Sequence, residues 1–194
     1  MLSELLKHKT IILGSKSPRR KELLEGLGIK FETRTKEVDE TFSDKIDQLK
    51  VAQFLAEKKA DAFTNELTVD DIVITSDTIV LCNNEVLGKP KDEQAAFEML
   101  TKLSGKSHQV ITGVCLKSIQ KTITFSDTTK VWFKPLSENE INFYIQNYKP
   151  FDKAGSYGIQ EWIGYVGIEK IEGTYFNVMG LPVNLLYKEM QDFV

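Results

Sequence analysis

The chain has 194 residues, 41% of them hydrophobic and 27% charged, with a formal net charge of −3. That length suits one large domain or two small lobes sharing a core, and the slightly acidic balance rules out a global basic field for DNA or RNA, so any basic site must be local. No apolar run approaches the roughly 18 residues of a membrane span.

The N-terminus, "MLSELLKHKT", lacks an apolar signal core and reads as the start of a folded cytoplasmic domain. Thr10-Ile11-Ile12-Leu13 predicts a strand that turns into a helix. Ser17 suits its N-cap, Pro18 the first helical position and Gly28 the residue past the end. A strand is predicted at 30–35, then an acidic connection, "KEVDETFSDKID", and a long amphipathic helix at about 47–65 with Leu49, Ala52, Leu55, Ala56 and Phe63 on one face. "DIVITSDTIVLCNNEVLGKP" is the most apolar β stretch, in which Thr75-Ser76-Asp77-Thr78 form a polar island and Asn83-Asn84 a hairpin turn. Asp92 opens a helix whose apolar face is Ala95, Ala96, Met99, Leu100 and Leu103. Strands at 108–118 and 121–133 follow, with a turn near Gln120. The next helix, 138–147, starts with the capping-box pattern Ser137-Glu138-Asn139-Glu140. A glycine-rich region, 155–180, leads to a final helix from about 183. No repeat, low-complexity tract or linker divides the chain, so residues 1–194 are expected to be a single domain. The fold class is mixed α/β: a largely antiparallel sheet flanked by helices.

Candidate chemistry falls on a few polar residues. Arg19 and Arg20 sit in the first turn of a helix, where the dipole disfavours cations. Free N–H groups at the helix start, two forked guanidiniums and the hydroxyls of Ser15 and Ser17 make an anion site; the bland reading is a solvated arginine pair. Asp77 lies between two β-branched runs, where an unpartnered carboxylate is costly. It reads as a metal ligand or general base, or else as a residue at a bulge or cap. Lys59, Lys89 and Glu40 are either functional or part of a solvated face. Pro90 after "GK", and the missing earlier glycine, exclude a P-loop. No Ser/His/Asp triad or GxGxxG fingerprint exists, and His108 reads as a structural hydrogen-bonding residue. Cys82 and Cys115 sit in apolar strands and read as buried thiols, without the CxxC spacing of a metal site. Basic residues, hydroxyls and a few carboxylates together suggest phosphate chemistry with a divalent cation.

"LGSKSPRRKELLEGLGIKFE", "SDTIVLCNNEVLGKPKD", "AFEMLTKLSGKSHQVITGVCL", "PFDKAGSYGIQ" and "NVMGLP" resemble, in order and spacing, the Maf family of nucleoside triphosphate pyrophosphatases over residues 10 to 190. The resemblance implies an elongated α/β fold related to inosine triphosphate pyrophosphatases, with an active-site groove between two lobes. It also implies hydrolysis of a nucleoside triphosphate to the monophosphate and pyrophosphate with Mg²⁺ or Mn²⁺. The family's "ADT" aspartate, its proposed proton acceptor, corresponds to Asp77. The basic residues of "SPRR", "KA" and "KP" correspond to Arg19, Arg20, Lys59 and Lys89, which would hold the triphosphate. "YGIQ" resembles the branch acting on dTTP and UTP, in which Arg19, Thr78 and Gln160 are linked to substrate choice. A glutamine amide carries both donor and acceptor and can pair with the O4/N3–H edge of uracil or thymine. Two departures stand out: "LGS" replaces the usual "LAS", at Gly14, and "SDT" replaces "ADT", at Ser76.

The expected reaction is attack of a cation-activated water on the α-phosphorus, with Asp77 as base or metal ligand, Glu40 as a second ligand and Ser15 among the substrate contacts. A homodimer is a further expectation of the resemblance. The rival reading is a nucleotide-binding regulator of cell division that need not hydrolyse; its signature, loss of Asp77 or of the basic set, is absent.

Overall fold

The computed structural model describes residues 2–43 and 45–194. Its elements are α1 (Leu2–Leu5), β1 (Thr10–Leu13), α2 (Pro18–Glu25), β2 (Glu32–Thr33), α3 (Val51–Asp61), β3 (Asp71–Cys82), β4 (Glu85–Leu87), α4 (Glu93–Leu103), β5 (Ser107–Lys117), β6 (Thr122–Phe133), α5 (Glu138–Tyr148), α6 (Trp162–Gly167), β7 (Ile168–Glu172), α7 (Tyr175–Met179) and α8 (Val183–Phe193). The strands form a mixed sheet in the order β2-β1-β3-β5-β6-β7, with β4 paired to β3. β1 runs parallel to β2 and to β3, in the registers Ile12↔Glu32 and Ile12↔Val73, whereas β4 and β7 pair antiparallel with β3 and β6.

Local signals set most boundaries. The Ser17 hydroxyl accepts from the Arg20 N–H and Pro18 opens α2, Asp92 caps α4 through the Ala95 N–H at 2.8 Å, and Ser137 and Glu140 close a reciprocal capping box on α5. Asn83 and Asn84 both take positive φ, 50° and 62°, which a primed two-residue turn needs to join β3 to β4. Two expectations are corrected. The predicted strand at 30–35 shrinks to Glu32–Thr33, since its side chains are exposed and it pairs on one side only. The helix predicted at 47–65 is α-helical only over Val51–Asp61, with 3₁₀ turns at Gln48–Lys50 and Thr64–Glu66. The glycine-rich region carries regular structure, α6, β7 and α7, where no periodic pattern announced it.

The chain divides into two compact units. Unit 1 comprises Met1–Asp77, Thr112–Asp127 and Gly180–Val194; unit 2 comprises Thr78–Ile111 and Thr128–Met179. In unit 1, α3 buries Val51, Ala52, Leu55, Ala56 and Ala60. Ala56 and Ala60 pack on Cys115 of β5, while Phe63 packs on Ile12 and Val73. Gly113 allows this closeness, because a Cβ there would stand 2.3 Å from the Ala52 carbonyl carbon. In unit 2, His108, Phe133 and Tyr157 form an edge-to-face aromatic cluster, and Nε2 of His108 shares a 2.7 Å hydrogen bond with the Tyr157 hydroxyl. The structural reading of His108 therefore holds. Cys82 and Cys115 are buried and unbridged.

Candidate active site

Ser15, Arg19, Arg20, Glu40, Lys59 and Asp77 belong to unit 1; Thr78, Lys89 and Gln160 belong to unit 2. In unit 1 the parallel pairing of β1 with β3 extends past β1, where the Gly14 N–H donates to the Ile74 carbonyl at 2.8 Å. The turn leaving β1 thus starts beside the polar island of β3. Alternation along β3 puts Thr75 and Asp77 on one face, and helical spacing puts Ala56 and Lys59 on one face of α3. The two faces meet: the Thr75 hydroxyl donates to the Ala56 carbonyl at 2.6 Å, and Lys59 Nζ donates to Asp77 Oδ1.

Lys59 also lies 3.0 Å from Oε1 of Glu40, so one ammonium joins the two carboxylates that the sequence proposes as metal ligands. Asp77 is only 7% exposed, which makes this ammonium its compensation for desolvation. The acidic connection brings Glu40, the second ligand expected from sequence, to that point.

Arg20 is held by the start of α2 and by the far end of the chain. Its Nε donates to the Gly180 carbonyl at 2.9 Å and its Nη1 lies 3.4 Å from Ser15 Oγ. The Ser76 hydroxyl donates to the same Gly180 carbonyl at 3.0 Å. Ser76, a small departure in sequence terms, is thus a second anchor for the "GLP" turn that orients Arg20. Burial lowers the Arg20 pKa from the ordinary arginine value; Asp77 and Glu40 oppose that effect and Arg19 reinforces it. A half-buried guanidinium whose carboxylate neighbours do not outweigh its desolvation is open to a further anion.

Gly14 has a similar local cause. A Cβ there would lie 2.7 Å from Cγ2 of Thr75 and 3.1 Å from the Phe63 ring. Thr75 cannot turn away without giving up its bond to Ala56, so glycine replaces the family's usual alanine.

In unit 2, Thr78 is half-buried on β3, Lys89 is exposed after β4, and Gln160 is half-buried with its Oε1 buried and lacking a hydrogen-bond partner. An orphaned acceptor of this kind awaits an N–H donor. Sequence reasoning missed three neighbours of Gln160: Tyr144, Lys153 and Glu161. Tyr144 Oη donates to Glu161 Oε2, and Lys153, 7% exposed, lies 3.0 Å from Glu161 Oε1. The signal was available, since a lysine inside "PFDKAGSYGIQ" is surrounded by small and apolar residues.

Among the described residues, no group of three or more His, Cys, Asp or Glu side chains is arranged to hold a metal ion, and no helix is long and apolar enough to cross a membrane. The carboxylates of Asp77 and Glu40, both turned to the Lys59 ammonium, fit a cation held by one or two protein oxygens and completed by phosphate oxygens.

Comparison with known proteins places this geometry in context. The sequence model of the family described as Maf-like protein matches residues 10–193. A protein of Phocaeicola vulgatus named dTTP/UTP pyrophosphatase is 54% identical over 192 residues, covering 98% of this chain and 99% of its own. Proteins of the same name from Porphyromonas gingivalis and Flavobacterium psychrophilum are each 50% identical, covering 100% and 96% of this chain and 98% and 96% of their own. Among solved structures, the Ham1 protein of Staphylococcus aureus superposes with a TM-score of 0.57 at 16% identity, covering 96% of this chain and 100% of that one. At that identity the likeness is one of fold.

Proposed function

The chain belongs to the Maf family, and on that premise we propose that it hydrolyses dTTP and UTP to the monophosphate and pyrophosphate. The observation that carries this reading is the convergence of Asp77 and Glu40 on Lys59, beside a half-buried Arg20 whose lowered pKa suits an added anion. Half-identical relatives bearing the name dTTP/UTP pyrophosphatase support hydrolysis over a purely regulatory nucleotide-binding role.

In this reading Asp77 accepts the proton of the attacking water at a carboxylate oxygen, while Lys59, which donates to Asp77 Oδ1, orients that carboxylate. Arg19, Arg20, Lys59 and Lys89 hold the triphosphate, and their charge favours the pyrophosphate leaving group as it separates. Asp77 and Glu40 would hold Mg²⁺ or Mn²⁺ together with phosphate oxygens. Such a cation, when bound, neutralises phosphate charge and makes a water more acidic. Ser15 and Thr78 supply hydroxyl contacts. Gln160 meets the base, its orphaned Oε1 accepting from N3–H and its Nε2 donating to O4. The setting of the reading is cytoplasmic nucleotide-pool cleaning by a homodimer, and light scattering on the purified protein tests the dimer.

The deciding experiment incubates the purified protein with dTTP, UTP, CTP, 7-methyl-GTP and modified pyrimidine triphosphates in Mg²⁺. Phosphate is measured with and without added inorganic pyrophosphatase. Phosphate that appears only with the added enzyme supports the reading; phosphate that appears without it refutes it.

A further inference from the structure

Gln160 is the third residue of a tight turn, Gly158-Ile159-Gln160-Glu161, closed by the Glu161 N–H donating to the Gly158 carbonyl at 3.0 Å. One phenol ties the two ends of this turn together. The Gly158 N–H donates to Tyr144 Oη at 3.0 Å, and Tyr144 Oη in turn donates to the Glu161 carboxylate. The other oxygen of that carboxylate faces Lys153 Nζ at 3.0 Å, and Lys153 is bound at 2.7 Å to Asp152 as well. Tyr144 is fully buried in α5 and Lys153 nearly so. The packing leaves no slack: a Cβ on Gly158 would stand 2.9 Å from Glu161 Cδ and 3.1 Å from Lys153 Cε, and one on Gly164 would stand 1.8 Å from the Ile159 carbonyl oxygen. Burial and the Glu161 carboxylate both raise the Tyr144 pKa, so the hydroxyl keeps the proton it donates.

We infer that Tyr144, Glu161 and Lys153 form a clamp that fixes the turn carrying Gln160, and that they are positioning residues for selection of uracil and thymine over cytosine. A glutamine amide is nearly symmetric in shape, and a half-turn about its last bond exchanges donor for acceptor. A loosely held Gln160 would read cytosine, with its N4 donor and N3 acceptor, as readily as uracil. Discrimination therefore requires that the amide be held in one orientation, which starts with a rigid backbone beneath it. The inference rests on the proposed role of Gln160 in base recognition.

The test is the ratio of kcat/KM for UTP to that for CTP, with the ratio of dissociation constants for the α,β-methylene analogues measured in parallel. Tyr144→Phe removes only the hydroxyl and is expected to lower both ratios about tenfold, as is Gly158→Ala, which pushes a methyl into the carboxylate–ammonium pair. On a Gln160→Ala background, Tyr144→Phe is expected to change neither ratio further, because the positioned group is gone. The clamp is refuted if either single variant lowers UTP and CTP by the same factor. An equal fall in the ratio on the Gln160→Ala background refutes it too. A wild-type protein with no preference for uracil would likewise refute the clamp. A protein that binds the analogues selectively but releases no pyrophosphate would overturn the hydrolytic reading, and the clamp would then be judged on the binding ratio.

Discussion

Replacing Gly113 by alanine would reach the candidate site from the interior. Gly113 lies on β5 directly beneath α3, and its added Cβ would meet the Ala52 carbonyl carbon at 2.3 Å, the Ala52 oxygen at 2.4 Å and the Gln53 nitrogen at 2.4 Å. All three are main-chain atoms of α3, so no rotamer change relieves the contact, and the helix has to retreat by about 1 Å to reach ordinary van der Waals distance. Overpacking of this kind costs about 1–3 kcal/mol, against which the reduced freedom of the unfolded chain returns at most about 1 kcal/mol. Because α3 carries Lys59 toward Asp77 and Glu40, a displacement of about 1 Å is expected to cost about 100-fold in kcat for dTTP as well. Urea unfolding gives the first number and pyrophosphate release the second. Gly26→Ala is the control: residue 26 has φ −61° and its Cβ would meet nothing closer than 3.4 Å. It should keep activity and gain a few tenths of a kcal/mol, roughly the glycine-to-alanine entropy term. If Gly113→Ala matched the wild type in stability and turnover, the argument that β5 sets the position of α3 would be wrong.

Lys59→Met leaves Asp77 buried without its ammonium; Arg20 stays nearby and Lys59 is slightly exposed, so the loss in urea is expected at the low end for a broken buried pair, about 3 kcal/mol. Undiminished stability would show that Lys59 does not compensate the Asp77 charge. Ser76→Ala removes one of two donors to the Gly180 carbonyl, at a cost of about 1 kcal/mol, with turnover kept within about twofold. A tenfold fall in turnover would instead mean that this hydroxyl touches substrate. Burial holds the His108 pKa down at about 4, against 6.5 ordinarily. The unfolded chain thus binds a proton between those values that the folded one refuses. Stability should be full above pH 6.5 and fall by about 3 kcal/mol as pH drops to 4. His108→Gln should flatten that slope, and an unchanged slope would assign it to other groups.

The parts of the fold readable from sequence were those governed by local rules. The caps at Ser17, Asp92 and Ser137, and the Asn83-Asn84 turn, follow from short-range hydrogen bonding and positive φ. What failed depended on distant partners. The strand at 30–35 lasts only as long as β1 lies beside it, and in the glycine-rich segment β7 forms because β6 pairs with it, while α7 is tied in by Asn177, which donates to the Val110 carbonyl and the Thr129 hydroxyl. The site divides in the same way. Residue types and order pointed to Asp77, Lys59 and the arginines, yet the bridging of Glu40 to Asp77 by Lys59 is a long-range contact with no sequence signature. Gly14 and Ser76, visible in sequence only as departures from the family's pattern, gain their meaning from Thr75 and Gly180, which lie 61 and 104 residues away in the chain. Tyr144 and Glu161 went unnoticed because neither belongs to a catalytic residue pattern until the turn at 158–161 brings them together.

In the proposed reaction Asp77 serves hydrolysis of a pyrimidine nucleoside triphosphate to monophosphate and pyrophosphate. The most direct test of that role follows dTTP by ³¹P NMR in Mg²⁺ with wild-type protein and Asp77→Asn. Equal yields of dTMP and pyrophosphate are expected from the wild type, and a loss of at least about 100-fold in the variant. Release of orthophosphate and dTDP, or near wild-type turnover by Asp77→Asn, would contradict it.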